Sequence, residues 1–386
     1  MTMPALPRPR TTGSNTRGPA RRPRPRPSAA PPVLVRQTRN GIDESVHRGD
    51  IVEVDTAGRV VRALGDPDRL VTLRSSVKPF GVVSLLEAGG VAAFDLTAPE
   101  IAIMAGSHSG EDLHVRTVQA LLRRANVSQS LLATGSEGMP LDELTTARLA
   151  RDGEQPSAIR HMCSGQHAAF ILLSRLRGWD PADYWRDEHP SQAAYREAVA
   201  RAFSTAPAGL QTAIDGCGIS TFAFPIREVA RAYALLAGPG AVPTTDARSS
   251  LAEPLTTIRD AMLEHPEMVG GTRHRLDTAL MEAVPGRLVS KSGAEGLRGV
   301  AILAGQRPSG ENGPSGLAIK IEDGDGYERA GRAVAVESLR QAGVLDERAL
   351  GELWADHRPP AHDPHGRPAA EAVAEFELAP VGELIG

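Results

Sequence analysis

Apolar and polar positions along the chain change rhythm several times, and each change predicts an element. From Val33 to Val71, short β-branched runs (Ile51-Val52-Glu53-Val54, Arg59-Val60-Val61) are broken by Ala57-Gly58 and Gly65-Asp66-Pro67. This pattern reads as a meander of strands. After Lys78-Pro79-Phe80 the rhythm turns helical: Val82, Val83, Leu85 and Leu86 recur at that spacing until Gly89-Gly90 stops them. Ile101-Ala102-Ile103-Met104-Ala105 then runs into the polar turn Gly106-Ser107-His108-Ser109-Gly110-Glu111. Later, Val289-Ser290 leads into Lys291-Ser292-Gly293, and Leu317, Ala318 and Ile319 lead into Lys320 and Ile321. No stretch approaches the roughly 18 apolar residues of a membrane span.

Composition divides the chain into regions. The 386 residues are 41% hydrophobic with mixed charge, ordinary for a globular protein. Residues 1–32 depart from this: seven arginines (Arg8, Arg10, Arg17, Arg21, Arg22, Arg24, Arg26), many prolines and no acid predict a disordered tail. The whole chain carries −4, so removing those arginines leaves −11 on the rest, which excludes a nucleic-acid footprint there. Arg21-Arg22 is followed by Pro-Arg-Pro-Arg-Pro and no apolar run, so it does not read as an export signal, and a cytoplasmic protein is expected. Residues 33–353 form the expected catalytic domain, and residues 354–386, with His357, His362 and His365 amid prolines, read as an extension. Two cysteines are too few for a disulfide scaffold.

Of 43 basic residues only Lys78, Lys291 and Lys320 are lysines. A surface cation is served equally by arginine, whereas a proton-accepting amine is not, because guanidinium stays protonated. The lysines are therefore candidates for chemistry. Lys320, inside an apolar run, reads equally well as a chance survivor.

Arg74-Ser75-Ser76-Val77-Lys78-Pro79-Phe80 opens the predicted helix. Proline belongs in a first turn, so Ser75 is expected near the N-cap, with its hydroxyl beside the Lys78 amine at i,i+3. Alone, this motif describes a capping serine and a solvated lysine. Lys291-Ser292-Gly293 changes the weighting, because it parallels the Lys-Thr-Gly that partners Ser-x-x-Lys in β-lactamases and penicillin-binding proteins, on a strand beside the nucleophile. Ser107 supplies a third element, a hydroxyl near the reacting centre, with His108 beside it. In Cys163-Ser164-Gly165-Gln166-His167 and Asp215-Gly216-Cys217-Gly218 each cysteine sits among glycines and polar residues. A metal held by the two thiolates with Gln166, His167 or Asp215 stays open, though paired C-x-x-C knuckles would be stronger evidence. No phosphate-binding glycine loop follows a strand.

Six segments together resemble the Rhizobium-type (class 3) L-asparaginases over roughly residues 33–345. They are Asp43-Glu44-Ser45-Val46-His47-Arg48-Gly49, Arg74 to Phe80, Ser107 to Glu111, Met162-Cys163-Ser164-Gly165, Asp215 to Gly218, and Lys291-Ser292-Gly293-Ala294-Glu295-Gly296. The resemblance implies an α/β fold like that of serine β-lactamases and glutaminases, with a central, mainly antiparallel sheet, helices packed on it and a helical subdomain. It also implies a homodimer. It makes Ser75 with Lys78 and Ser107 with Lys291 two serine-lysine pairs facing one pocket, and Cys163 and Cys217 zinc ligands. Three places depart from the family pattern: Gln166 stands where a lysine reaches the metal, Gly81 where glutamine is usual, and Thr134-Gly135-Ser136-Glu137 fits the family's usual segment poorly.

The expected reaction is hydrolysis of L-asparagine to aspartate and ammonia through an acyl-enzyme on Ser75, with Lys78 as base and Ser107 and Lys291 relaying protons. Arg74 and His108 are expected at the substrate, Arg74 as a fork for its carboxylate, and Asp215 as partner of its ammonium. The chemistry requires no cofactor. Competing readings are a penicillin-binding-protein-like esterase or β-lactamase, and a non-enzymatic metal- or ligand-binding relative.

Overall fold

The computed structural model describes residues 30–135, 138–305, 307, 313–325 and 328–381. The arginine-rich tail, up to residue 29, lies outside them. The expected meander is present as β1 (Val33–Arg39), β2 (Ile42–Asp55), β3 (Val60–Leu64) and β4 (Leu70–Thr72). The remaining strands are β5 (Gln211–Ile214), β6 (Ser220–Pro225), β7 (Leu288–Gly293), β8 (Leu297–Ile302), β9 (Ser315–Ile321), β10 (Pro360–His362) and β11 (Pro368–Ala374). The main sheet runs β10-β11-β1-β2-β9-β8-β7 with β3 also on β2, and β4-β6-β5 form a smaller sheet. Every pairing is antiparallel. This is the expected α/β class with a mainly antiparallel sheet. Residues 360–374, read from the sequence as part of an extension, supply β10 and β11, and β11 pairs with β1 from Val35 opposite Ala374.

β2 is 14 residues long because it serves three neighbours, β1 along its first half and β3 and β9 along its second. Residues 42–48 pair with β1, and from Gly49 onward the strand pairs with β9. At the handover a Cβ on Gly49 would lie 2.2 Å from the Lys320 carbonyl oxygen, so only glycine fits there.

Helix Ile226–Ala237 lies on the sheet along a seam of small residues. Gly299 faces Ala318 and Ala301 faces Gly316 across β8 and β9, so these four share a face. A Cβ on Gly316 would come 1.9 Å from the Ala230 carbonyl, and one on Gly299 2.2 Å from the Tyr233 ring. The helix therefore packs close to the backbone of the strands. Lys291 faces Gly299 across β7 and β8, which puts the lysine on this same helix-bearing face.

Helix Lys78–Glu87 is the hub of the helical layer. Its residues Lys78 to Leu85 are all buried, as expected for a segment apolar on every side. Phe80 packs edge-on against Phe203 and Tyr233. Helices Ala98–Ala105, Ser164–Arg177, Pro190–Ala202 and Ala252–Glu264 surround it. Among the described residues no helix is long and apolar enough to cross a membrane.

Candidate active site

The site is assembled where three elements meet. The first is the 3-10 turn Arg74–Val77, which feeds the central helix. Arg74 takes φ +47°, a left-handed conformation that costs a non-glycine residue about 1–3 kcal/mol and persists only when its surroundings enforce it. Here they do: Leu73 N donates to the Phe222 carbonyl (2.8 Å), Arg74 N to Thr221 Oγ1 (2.9 Å), and Tyr233 Oη to the Ser76 carbonyl (2.7 Å). The turn holds Ser75 half-buried, and among the described residues its hydroxyl makes no hydrogen bond. Ser75 is thus not the helix cap; Val77 occupies that position without a side-chain cap bond.

The second element is the segment after helix Ala98–Ala105. It runs against residues 268–275: Ser107 N donates to the Val269 carbonyl (2.8 Å), and Ser109 Oγ to the Gly270 carbonyl (2.9 Å). Lys78 Nζ donates to Ser107 Oγ and to the Gly106 carbonyl, each at 2.9 Å, and lies 3.2 Å from Cys163 Sγ. The i,i+3 expectation paired this amine with Ser75. A lysine stem in the first turn of a buried helix reaches beyond its own turn, and here it ends at Ser107.

The third element is β7. A Cβ on Gly293 would come 2.6 Å from the Leu73 carbonyl, so the strand abuts the Ser75 turn directly. Lys291, two residues earlier and on the same face, is completely buried, and its Nζ donates to the Ser292 carbonyl (2.6 Å). Burial brings its pKa down to about 7; Lys78, Arg275 and Arg298 push the same way and Asp277 opposes them.

Asp277, which no motif marked, fixes this strand. Ser290 Oγ donates to it at 2.7 Å, Ser292 N at 2.9 Å and Ser292 Oγ at 2.6 Å, and Arg298 completes the set. Burial alone would push its carboxyl up, but Arg298, Lys291 and the two serines hold it well below the usual carboxylate range. Lys291 is therefore gripped through both its neighbours.

The other expected residues fall as follows. Arg74 Nε donates to Asp215 Oδ1 at 2.6 Å, so the two groups assigned to opposite ends of a substrate are bonded to each other. His108 is fully buried; its Nδ1 accepts from Gly110 N (3.1 Å), and its Nε2 lies 2.9 Å from Ser164 Oγ, which itself donates to the Ile159 carbonyl. Nε2 therefore carries the proton, and neither nitrogen is left for a substrate. Burial, then His114 and Lys78, holds this ring neutral. Lys320 lies apart, with Nζ on the Glu295 and Ile321 carbonyls at 2.5 Å each.

Cys163 and Cys217 are buried, form no disulfide and interact with each other. The bond to Cys217 and the charge of Lys78 draw the Cys163 thiol well below its ordinary value, while the bond to Cys163 and burial push Cys217 up. Gln166 is buried with Nε2 unpartnered. The resemblance implies a zinc ion on Cys163 and Cys217, with Gln166 in the place of the family's lysine ligand, but the donor set does not fit it. Among the described residues no three His, Cys, Asp or Glu side chains are grouped to hold a metal, an amide is a weak ligand, and Lys78 Nζ already occupies Cys163 Sγ. Two of the departures from the family pattern adjoin: a Cβ on Gly81 would sit 2.8 Å from the Tyr195 ring and 3.6 Å from Gln166 Nε2; the third, at residues 134–137, lies partly outside the described residues.

Two cavities border these elements, one of about 490 Å³ reaching Arg275 and one of about 320 Å³ beginning at Ser292. Neither is lined by Ser75, Lys78, Ser107 or Lys291.

The turn, the Ser107 segment and the Lys291 strand converge in the order in which the motifs occur, and the family model for L-asparaginase II matches residues 35–374, the span that contains them all. The chain belongs to the L-asparaginase II family. Membership bears out the resemblance carried by the six segments and supports an amidohydrolase. No curated protein sequence matches the chain. Among solved structures it is similar to a probable glutaminase of Bacillus subtilis, at 10% identity over 77% of this chain and 89% of that one, with a TM-score of 0.39. It is likewise similar to a Bacillus glutaminase in 4.3 M NaCl (11% identity, 77% and 91%, 0.40) and to Mglu in its native form (15%, 78% and 67%, 0.35).

Proposed function

We propose that this chain hydrolyses the side-chain amide of L-asparagine through an acyl-enzyme on Ser75. The observation that carries this reading is the buried bond from Lys78 Nζ to Ser107 Oγ, with Ser75 in the turn before Lys78 and Lys291 on the strand that abuts that turn. Ser75 is the nucleophile because it is the half-buried hydroxyl of the pair, whereas Ser107 is only 3% exposed.

In the proposed cycle Ser75 Oγ attacks the amide carbon and its proton passes to a neutral amine. Lys291, held at about 7, is in part neutral near pH 7 and rises from the face of β7 that meets the Ser75 turn, so it takes this proton. The expectation gave that step to Lys78. Its contacts with Ser107 and Cys163 favour a different task, holding Ser107 so that its hydroxyl hands a proton to the departing nitrogen. The C–N bond breaks and ammonia leaves. Water then attacks the aspartyl ester and gives its proton to Ser107, left one proton short by the departure of ammonia, while Lys291 returns its proton to Ser75 Oγ as the C–O bond breaks and restores the serine. Homodimeric assembly, which the family resemblance implies, belongs to the same proposal.

The test is Ser75→Ala. Ammonia release from L-asparagine is expected to fall by at least about 10⁴-fold in a protein with wild-type circular dichroism, while quenched wild-type enzyme carries an aspartyl adduct on the Ser75 peptide. An adduct on the Ser107 peptide would reverse the assignment.

A further inference from the structure

The amide reading leaves a charge unanswered. L-Asparagine brings an α-carboxylate, and the arginines around the site are mostly committed. Arg74 is bonded to Asp215, and Arg298 to Asp277. Arg273 forks onto Asp142 at 2.9 and 2.7 Å, and Arg332 donates to Asp356 and to the His274 carbonyl. Each already faces an acid.

Arg275 is different. Among the described residues it makes no ion pair; its Nη2 donates to the Ser107 carbonyl at 3.0 Å, and its Nη1 is shielded from water with no hydrogen-bond partner. Leaving a buried charged donor unmade costs more than an ordinary hydrogen bond gains, so such an atom is rarely idle. The same side chain lines the cavity of about 490 Å³, together with Gly271, Thr272 and Thr278. Burial lowers its pKa; Asp277 and Glu328 oppose this from a distance, and Arg298 and Arg332 add to it.

Its position matches the missing partner. The carbonyl that Arg275 grips belongs to the residue whose hydroxyl Lys78 holds, so guanidinium and Ser107 Oγ stand one residue's width apart. In asparagine, two carbons separate the carboxylate from the amide carbon. A substrate with its amide beside Ser107 therefore has its carboxylate within reach of the Arg275 fork.

We propose that Arg275 is the specificity-determining residue of this site, binding the substrate's α-carboxylate through Nη1 while Nη2 fixes the Ser107 segment. The inference rests on the amide reading and extends it: the enzyme acts on amides that carry a carboxylate at this distance and discriminates against those that do not.

Two substrates test it. L-Asparagine and 3-aminopropanamide, which is asparagine without its α-carboxylate, are compared in wild type, Arg275→Met and Arg275→Lys, with L-aspartate binding followed by calorimetry. The wild-type preference for asparagine, as a ratio of kcat/KM, is expected to fall about a hundredfold in Arg275→Met, mostly through KM, the usual size for a hydrogen bond to a charged group. Arg275→Lys recovers part of it. L-Aspartate binding weakens in parallel. A role confined to holding Ser107 would slow both substrates equally and leave the ratio unchanged, and that result overturns the proposal. So does wild type that fails to bind L-aspartate, or that binds it as tightly as Arg275→Met. Wild type that binds L-aspartate through Arg275 yet releases no ammonia from asparagine would sink the amide reading and leave the carboxylate site standing.

Discussion

Lys78 and Lys291 are both buried lysines beside the same turn, yet their surroundings are opposites. Lys78 starts a helix, and three groups brought by other elements meet its amine: a carbonyl, a hydroxyl and the thiol of Cys163, whose pKa is drawn down. Lys291 lies on a strand, and its amine meets one carbonyl while the nearby carboxylate of Asp277 is spent on Ser290, Ser292 and Arg298. Burial therefore dominates at Lys291 and brings it to about 7. A buried amine serves as an anchor or a base according to which groups the fold directs at it.

The comparison breaks most sharply under lysine-to-arginine exchange. Arginine keeps the charge and removes the titration, so Lys291→Arg is expected to lose roughly 10²- to 10⁴-fold in turnover, the range for losing a general base. Lys78→Arg is expected to keep more activity than Lys291→Arg. Ammonia-release kinetics on both variants decide the matter, and the reverse ranking would exchange the two roles.

Asp277→Asn should come next. It leaves Arg298 without its buried partner, which costs about 3–5 kcal/mol, readable as a lowered urea midpoint. Since Asp277 raises the Lys291 pKa, its neutralisation is also expected to move the base limb of the pH profile below about 7. A destabilised enzyme with an unmoved limb would separate Asp277 from the lysine.

The smallest effect is the wild-type profile itself. A base must be neutral to accept a proton, so kcat/KM is expected to rise with pH through about 7 and level off above it. The lowered pKa also predicts that this group adds stability as pH rises from about 7 toward its unfolded value, because the unfolded chain binds the extra proton there. A profile that keeps climbing to pH 10 would remove Lys291 as the base.

Much of this was legible before any coordinates. Periodicity located the meander and the helix after Pro79, since side-chain spacing and Gly/Pro punctuation are local properties of the chain. The scarcity of lysine singled out Lys78 and Lys291, and the motif order gave the family. What stayed hidden was pairing. Spacing put Ser75 on Lys78, whereas a side chain extending from a buried helix bonds whatever the fold brings to its tip, here Ser107. His108 resembled a substrate ligand until packing supplied partners for both its nitrogens. Arg275 and Asp277 carried no signal at all, one arginine among 40 and one acid among 47, because their importance lies in contacts with Ser107 and with the Lys291 strand, the former 168 residues away. The sequence by itself determined which residue types were available for chemistry and in what local frames. Only the tertiary structure decided which charge faces which, because burial and counter-charge are set by chain segments that no local rule connects.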